Sequence, residues 1–147
     1  WLKGEVDFSD TSFDPFSAQV VREGTDATIV AYGPLVPVAL AAAEAAAEDG
    51  RSIEVIDLRS ISPLDVPTVA ASVAKTGRLI IAHEAPTFGG MGGELAAAIT
   101  ERCFYSLQAP VIRVGGYYMP YPVSRVEEEY VPDIDRILEA VDRAFDY

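Results

Sequence analysis

Thr28-Ile29-Val30-Ala31-Tyr32, then Gly33-Pro34, then the alanine-rich run from Val36 to Asp49 with Gly50 behind it, then Ser52-Ile53-Glu54-Val55-Ile56-Asp57-Leu58: this stretch reads as strand, helix, strand. The first run is continuous and rich in β-branched residues, as a strand buried on both faces requires. Gly33-Pro34 stops it. In the alanine-rich run, Val36, Leu40, Ala43 and Ala47 predict one helical face, with Glu44 and Glu48 elsewhere. Small side chains let such a helix lie close on a sheet, and Gly50 supplies the left-handed stop. Two strands joined by a helix form the unit of a parallel sheet, so this stretch points to an α/β domain.

Working outward, Asp65 is placed to cap a helix running through Val66, Val69, Val73 and Lys75, with Pro67 tolerated in its first turn and Gly77 closing it. Arg78 to Ala82 reads as the third strand, His83 to Gly93 as a loop, and Glu94 to about Phe104 as a third helix. Val111 to Val114 makes the fourth parallel strand, and residues 115 to 132, rich in Gly, Tyr and Pro, have no period. Ile134, Ile137, Leu138, Val141 and Phe145 follow the spacing of an apolar helical stripe. Ala18 to Arg22 adds an edge strand. The expected architecture is a three-layer α/β/α sandwich on a mainly parallel five-stranded sheet, formed by residues 18 to 147. Residues 1 to 17 read as a linker, from which Phe8, Phe13 and Phe16 are expected to dock.

The chain has 147 residues, 23 acidic against 11 basic, and a formal charge of −12. The excess sits at the ends: six acids to two bases in residues 1 to 26, eight to two in residues 127 to 147, and nine to seven between. Such a surface repels phosphate backbones, so nucleic acid is not expected as a partner. No apolar run approaches the roughly 20 residues of a bilayer span, so no membrane association is expected. One cysteine excludes an internal disulfide. The start at Trp1 suggests a piece of something longer.

Candidate chemistry is sparse. His83, the single histidine, follows the third strand, where open α/β sheets place their crevices. Adjacent side chains in an extended segment point to opposite faces, so His83 and Glu84 cannot readily act on one proton. The plainer reading is a hydrogen-bonded histidine at a sheet edge or subunit contact. Gly89-Gly90-Met91-Gly92-Gly93 resembles an anion cradle but matches no phosphate-binding fingerprint, and reads instead as a flexible or close-packed turn that lets another backbone approach. Cys103, near a helix C-terminus, reads as a buried apolar residue. Gly116-Tyr117-Tyr118-Met119-Pro120-Tyr121-Pro122 concentrates aromatics and prolines, and is either tucked under the last helix or an interface; the interface is preferred. Glu127-Glu128-Glu129 make a solvated face or receive a basic partner. No catalytic, cofactor-binding or metal-binding residue is assigned.

In order, Ile53-Glu54-Val55-Ile56-Asp57-Leu58-Arg59, Ser62-Pro63-Leu64-Asp65, Lys75-Thr76-Gly77-Arg78, His83-Glu84-Ala85-Pro86, Ala109-Pro110 and Gly116-Tyr117 through Pro120-Tyr121-Pro122 resemble the C-terminal, transketolase-type domain of a 2-oxoacid dehydrogenase β subunit. Cys103-Phe104, the Gly116-Tyr117 start of the Pro-Tyr-Pro segment, Tyr130-Val131-Pro132-Asp133 and the terminal Tyr147 are more similar to the branched-chain enzymes than to pyruvate dehydrogenases. The resemblance implies a missing N-terminal cofactor-binding domain, and an α subunit and a second β subunit as partners. It implies thiamine diphosphate and magnesium in the complete enzyme, held outside this chain, and a reaction that decarboxylates a 2-oxoacid and acylates a lipoyl group.

On the same resemblance, His83, Glu84, Gly89, Gly90, Tyr117, Tyr118, Pro120, Tyr121 and Pro122 are expected at subunit contacts. Glu127, Glu128, Glu129, Asp142, Asp146 and Tyr147 are expected to dock the small basic binding domain of the lipoyl acyltransferase. The implied location is the cytoplasm, or the mitochondrial matrix in a eukaryote. Pro34, Tyr118-Met119 and Gln108 depart from the family pattern, Pro34 by removing a side-chain cap. Two alternatives stand beside this reading: the same domain of a pyruvate dehydrogenase, and a free-standing α/β binding module without catalysis.

Overall fold

A computed structural model describes residues 14–147. Most of the expected linker, with Phe8 and Phe13, lies outside the described residues. Phe16 does not dock: it is exposed, and its turn is held instead by Asp14, which accepts from the Phe16 N–H and the Ser17 hydroxyl.

Nine regular elements follow: β1 (Gln19–Arg22), β2 (Ala27–Ala31), α1 (Leu35–Glu48), β3 (Ile53–Asp57), α2 (Val66–Thr76), β4 (Leu79–Pro86), α3 (Met91–Cys103), β5 (Ile112–Gly116) and α4 (Ile134–Phe145). The sheet order is β1-β3-β2-β4-β5. All pairings are parallel except that of β1, which runs antiparallel along β3. Alternation along each strand sorts the core into two clusters. Ile29, Ala31, Ile53, Val55, Ile80 and Ala82 face α1 and α4, whereas Val30, Ile56, Leu79 and Ile81 face α2 and α3. Helices therefore cover both faces of the sheet, giving the expected three layers.

Local signals explain the helix ends. Asp65 accepts from the Thr68 N–H at 3.1 Å, and Gly77 closes α2 in the left-handed region at φ 73°. Gly50 stands beyond α1 at φ 78°. Pro34 leaves α1 without a side-chain cap. Asp133 caps α4 through the Arg136 N–H.

Four expectations change. The buried face of α1 is Leu35, Ala39, Ala42, Ala43 and Ala46, one residue out of step with the expected face except at Ala43. Alanine lies all round this helix, so its hydrophobic pattern has little contrast. In α4, Ala140 and Ala144 join Ile137 and Val141 inside, while Ile134 is partly exposed. The third parallel strand does not end at Ala82. It continues through His83-Glu84-Ala85 to Pro86, which pairs with Gly116 across an irregularity in the β4–β5 ladder. Helix α3 begins at Met91 rather than Glu94, so Gly92 and Gly93 lie in its first turn.

Candidate interaction site at the strand ends

The C-terminal ends of β4 and β5 bring together most of the residues singled out in the sequence. At the centre is His83, which the expectation put at a subunit contact. Its side chain is instead fully buried on the α2/α3 side of the sheet, because β4 continues past Ala82 and directs this position inward. Nδ1 lies 2.8 Å from the Ala85 carbonyl. A carbonyl only accepts, so Nδ1 carries the proton and Nε2 holds the lone pair. Nε2 has no hydrogen-bond partner. Burial, opposed by the Ala85 hydrogen bond, holds the imidazole pKa below its ordinary 6.5, so the ring is neutral near pH 7.

Three glycines make room for this ring. A Cβ on Gly92 would stand 2.4 Å from Nε2, one on Gly90 2.8 Å from Cε1, and one on Gly115 3.1 Å from Cε1. The glycine run is close-packed but not a turn throughout, since Gly92 and Gly93 are helical; the Pro86 carbonyl approaches Gly90, and the His83 imidazole approaches both Gly90 and Gly92. Tyr32, at the end of β2, completes the surroundings with its ring 6.1 Å from that of His83.

Over this buried layer lies an aromatic surface. Tyr117, Tyr118, Met119 and Tyr121 are at least half exposed, so the segment is not tucked under α4. Phe88 is 72% exposed and meets Tyr118 edge-on at 4.9 Å. The Tyr121 hydroxyl reaches Glu84 at 2.9 Å and also bonds Glu127, so one proton is shared between two carboxylates. That sharing with Glu127, then burial and Glu84, push the phenol pKa well up. Tyr121 also packs edge-on against the buried Tyr130 at 5.0 Å, and Tyr117 meets the same ring at 6.4 Å. The segment is therefore anchored although it lacks regular structure. Pro120 is exposed, Pro122 half-buried, Gly89 exposed at φ 71°, and Gly90 sits at the N-cap of α3.

The residues expected to dock a basic partner are separated by α4, a helix about 18 Å long at 1.5 Å per residue. Glu128 and Glu129 are exposed before its N-terminus, while Glu127 is turned toward Tyr121. Asp142, Asp146 and the exposed Tyr147 lie at the other end, with Asp142 paired to Arg51. Sequence reading missed Phe88 and Tyr32 because each becomes significant only through a ring brought from another element. Cys103 is buried as expected; burial raises its thiol pKa. Among the described residues there is no group of three or more His, Cys, Asp or Glu able to hold a metal ion, and no helix is long and apolar enough to cross a membrane.

Parallel strands between two helical layers, with an exposed aromatic surface at the strand ends, define a doubly wound α/β domain. The chain belongs to the transketolase C-terminal domain family: residues 17–137 match the family described as "Transketolase, C-terminal domain". It is 54% identical, over all of its length and 44% of the relative's, to "Pyruvate dehydrogenase E1 component subunit beta" of Leifsonia xyli subsp. xyli. It is 47% identical, over 96% of its length and 41% of the relative's, to "3-methyl-2-oxobutanoate dehydrogenase subunit beta" of Mycobacterium tuberculosis. The chain spans less than half the length of these relatives. A solved structure described as "Split gene transketolase, inactive beta4 tetramer" matches with a TM-score of 0.78 at 30% identity, over 97% of this chain and 46% of that one.

Proposed function

We propose that this chain is the assembly domain of the β subunit of a thiamine-diphosphate-dependent 2-oxoacid dehydrogenase. The observation that carries the reading is the anchored aromatic surface of Phe88, Tyr117, Tyr118 and Tyr121 at the strand ends. Exposed aromatics fixed by hydrogen bonds and ring contacts suit a subunit interface, since little side-chain freedom remains to be lost on association. The α subunit and a second β subunit are its partners in this reading. Thiamine diphosphate supplies the carbanion-stabilising chemistry when bound. This reading places diphosphate and magnesium on the rest of the enzyme.

Within that class we assign a branched-chain 2-oxoacid as substrate, on the similarity of Cys103-Phe104, Tyr130-Val131-Pro132-Asp133 and Tyr147 to that group. Pyruvate is the second reading, favoured by the 54% identical relative. The experiment is to assay the complete enzyme with 3-methyl-2-oxobutanoate against pyruvate. A higher kcat/KM for the first is expected, and the reverse replaces it with the second. In the same enzyme, Tyr118→Ser is expected to loosen subunit association; unchanged association removes the interface reading.

A further inference from the structure

The aromatic surface at the strand ends is anchored on two carboxylates. Glu84 comes from β4 and Glu127 from the segment before α4, and both are half-buried. Each reaches the hydroxyl of Tyr121. A phenol has one proton, so it donates to one carboxylate while the other faces its lone pairs. Two negative groups are thus held on one oxygen with a single hydrogen between them.

No cation of this chain relieves the pair. Among the described residues, the salt bridges join Arg51 to Asp142 and Lys75 to Glu23 and Glu54, none of them at this surface. Arg125, two residues before Glu127, is exposed and bonds to neither carboxylate. Arg136 is engaged elsewhere: it donates to the carbonyls of Gly115 and Tyr130, with its guanidinium 4.7 Å from the Tyr117 ring centroid. That contact is one in which an aromatic face holds a guanidinium, and the exposed rings of Phe88, Tyr118 and Tyr121 offer further faces. A second copy of this surface is a poor occupant, because face to face it would set one carboxylate pair against another, and like charges across an interface oppose association.

We propose that the α subunit covers this aromatic surface and places an arginine side chain against Glu84 and Glu127. The planar fork of a guanidinium can donate to both carboxylates at once, and its face can lie on an exposed tyrosine ring. The inference rests on the interface reading above and names the partner's chemistry there. It also makes the two acids groups that select the α chain over a second β chain.

Sedimentation of the complete enzyme over a dilution series tests it. Glu84→Gln with Glu127→Gln removes both charges and leaves an acceptor oxygen for Tyr121. Association with the α subunit should weaken about tenfold or more, the scale of a lost charge-assisted hydrogen bond. The loss should shrink at high salt, where such charges are screened. Glu101→Gln, on α3, leaves association unchanged, and circular dichroism checks that each variant is folded. Glu127→Arg should block association, and replacing one α-subunit arginine by glutamate should restore it. Unchanged association in the double variant, while Tyr118→Ser still loosens it, overturns the arginine contact and keeps the interface. Unchanged association in both removes the interface as well. Rescue of Glu127→Arg by no α-subunit arginine, or loss of β–β association with α binding intact, also overturns the proposal.

Discussion

Nε2 of His83 stands 2.4 Å from the position a Cβ on Gly92 would take, so the imidazole fills the space of that missing side chain. Gly92→Ala is therefore expected to destabilise the domain by about 1–3 kcal/mol, the usual cost of overpacking a tight core. The penalty has a specific partner. In a His83→Ala background the same substitution should cost much less, and a double-mutant cycle by denaturant unfolding measures the difference. Equal cost in both backgrounds would place the strain elsewhere.

The neutral state of His83 has a pH consequence. Its folded-state pKa lies below the ordinary 6.5, because burial opposes the charged ring. The unfolded chain therefore binds the proton first as pH falls. The stability His83 contributes is present above pH 6.5 and is lost as pH falls below that toward the folded-state value. Unfolding midpoints measured between pH 7.5 and 5 should decline in the parent protein and decline less in His83→Gln.

At the opposite end of the sheet, Glu54 is buried on β3 and bonded to Lys75, which also reaches Glu23 at 3.2 Å. Burial pushes the Glu54 pKa up, but hydrogen bonds from Lys75, Ser72 and the Gly24 N–H outweigh it and hold the carboxyl below the ordinary 4.5. Its contribution is thus present above pH 4.5 and lost as pH falls through the folded value. Lys75→Met should cost about 1.5–3 kcal/mol near neutrality by leaving a buried carboxylate without its cation, and the half-exposure of Lys75 favours the lower figure. Chemical denaturation at pH 7 and pH 3.5 checks both the cost and its loss in acid.

The acidic ends make a separable prediction. Glu128 and Glu129 are exposed, whereas Asp142 is already paired with Arg51. If a basic domain docks here, Glu128→Gln with Glu129→Gln should weaken binding several-fold, and Asp142→Asn should matter less. Binding should also fall as salt rises, since exposed charges are screened over about 10 Å at 0.1 M. Salt-independent binding would assign these acids to solubility alone.

How much of this was legible depends on the range of each signal. Asp65, Gly77 and Gly50 act within a few residues of themselves, and they end their elements as read. Continuous apolar runs marked the buried strands for the same reason. Alanine on every side of α1 erased the contrast needed to choose its buried face. The glycine run looked like loop because glycine is poor in helices, yet Gly92 and Gly93 open α3 where His83 and Arg113 lie against them. At the strand ends, the aromatic segment was recognisable by composition, but its partners were not. Tyr121 finds Glu84, 37 residues away, and Tyr118 finds Phe88, 30 residues away.

The sequence by itself determined the element types, the layered α/β class, the caps and the family, because these rest on periodicity, turn chemistry and ordered local motifs. Only the tertiary structure decided that His83 is interior, that Gly90, Gly92 and Gly115 enclose it, and that Tyr121 bonds Glu84. Each of those facts joins residues from separate elements, and the sheet order that places β5 beside β4 is what brings them within contact. Strand order follows from the packing of both helical layers together, and no local pattern in the chain encodes that competition.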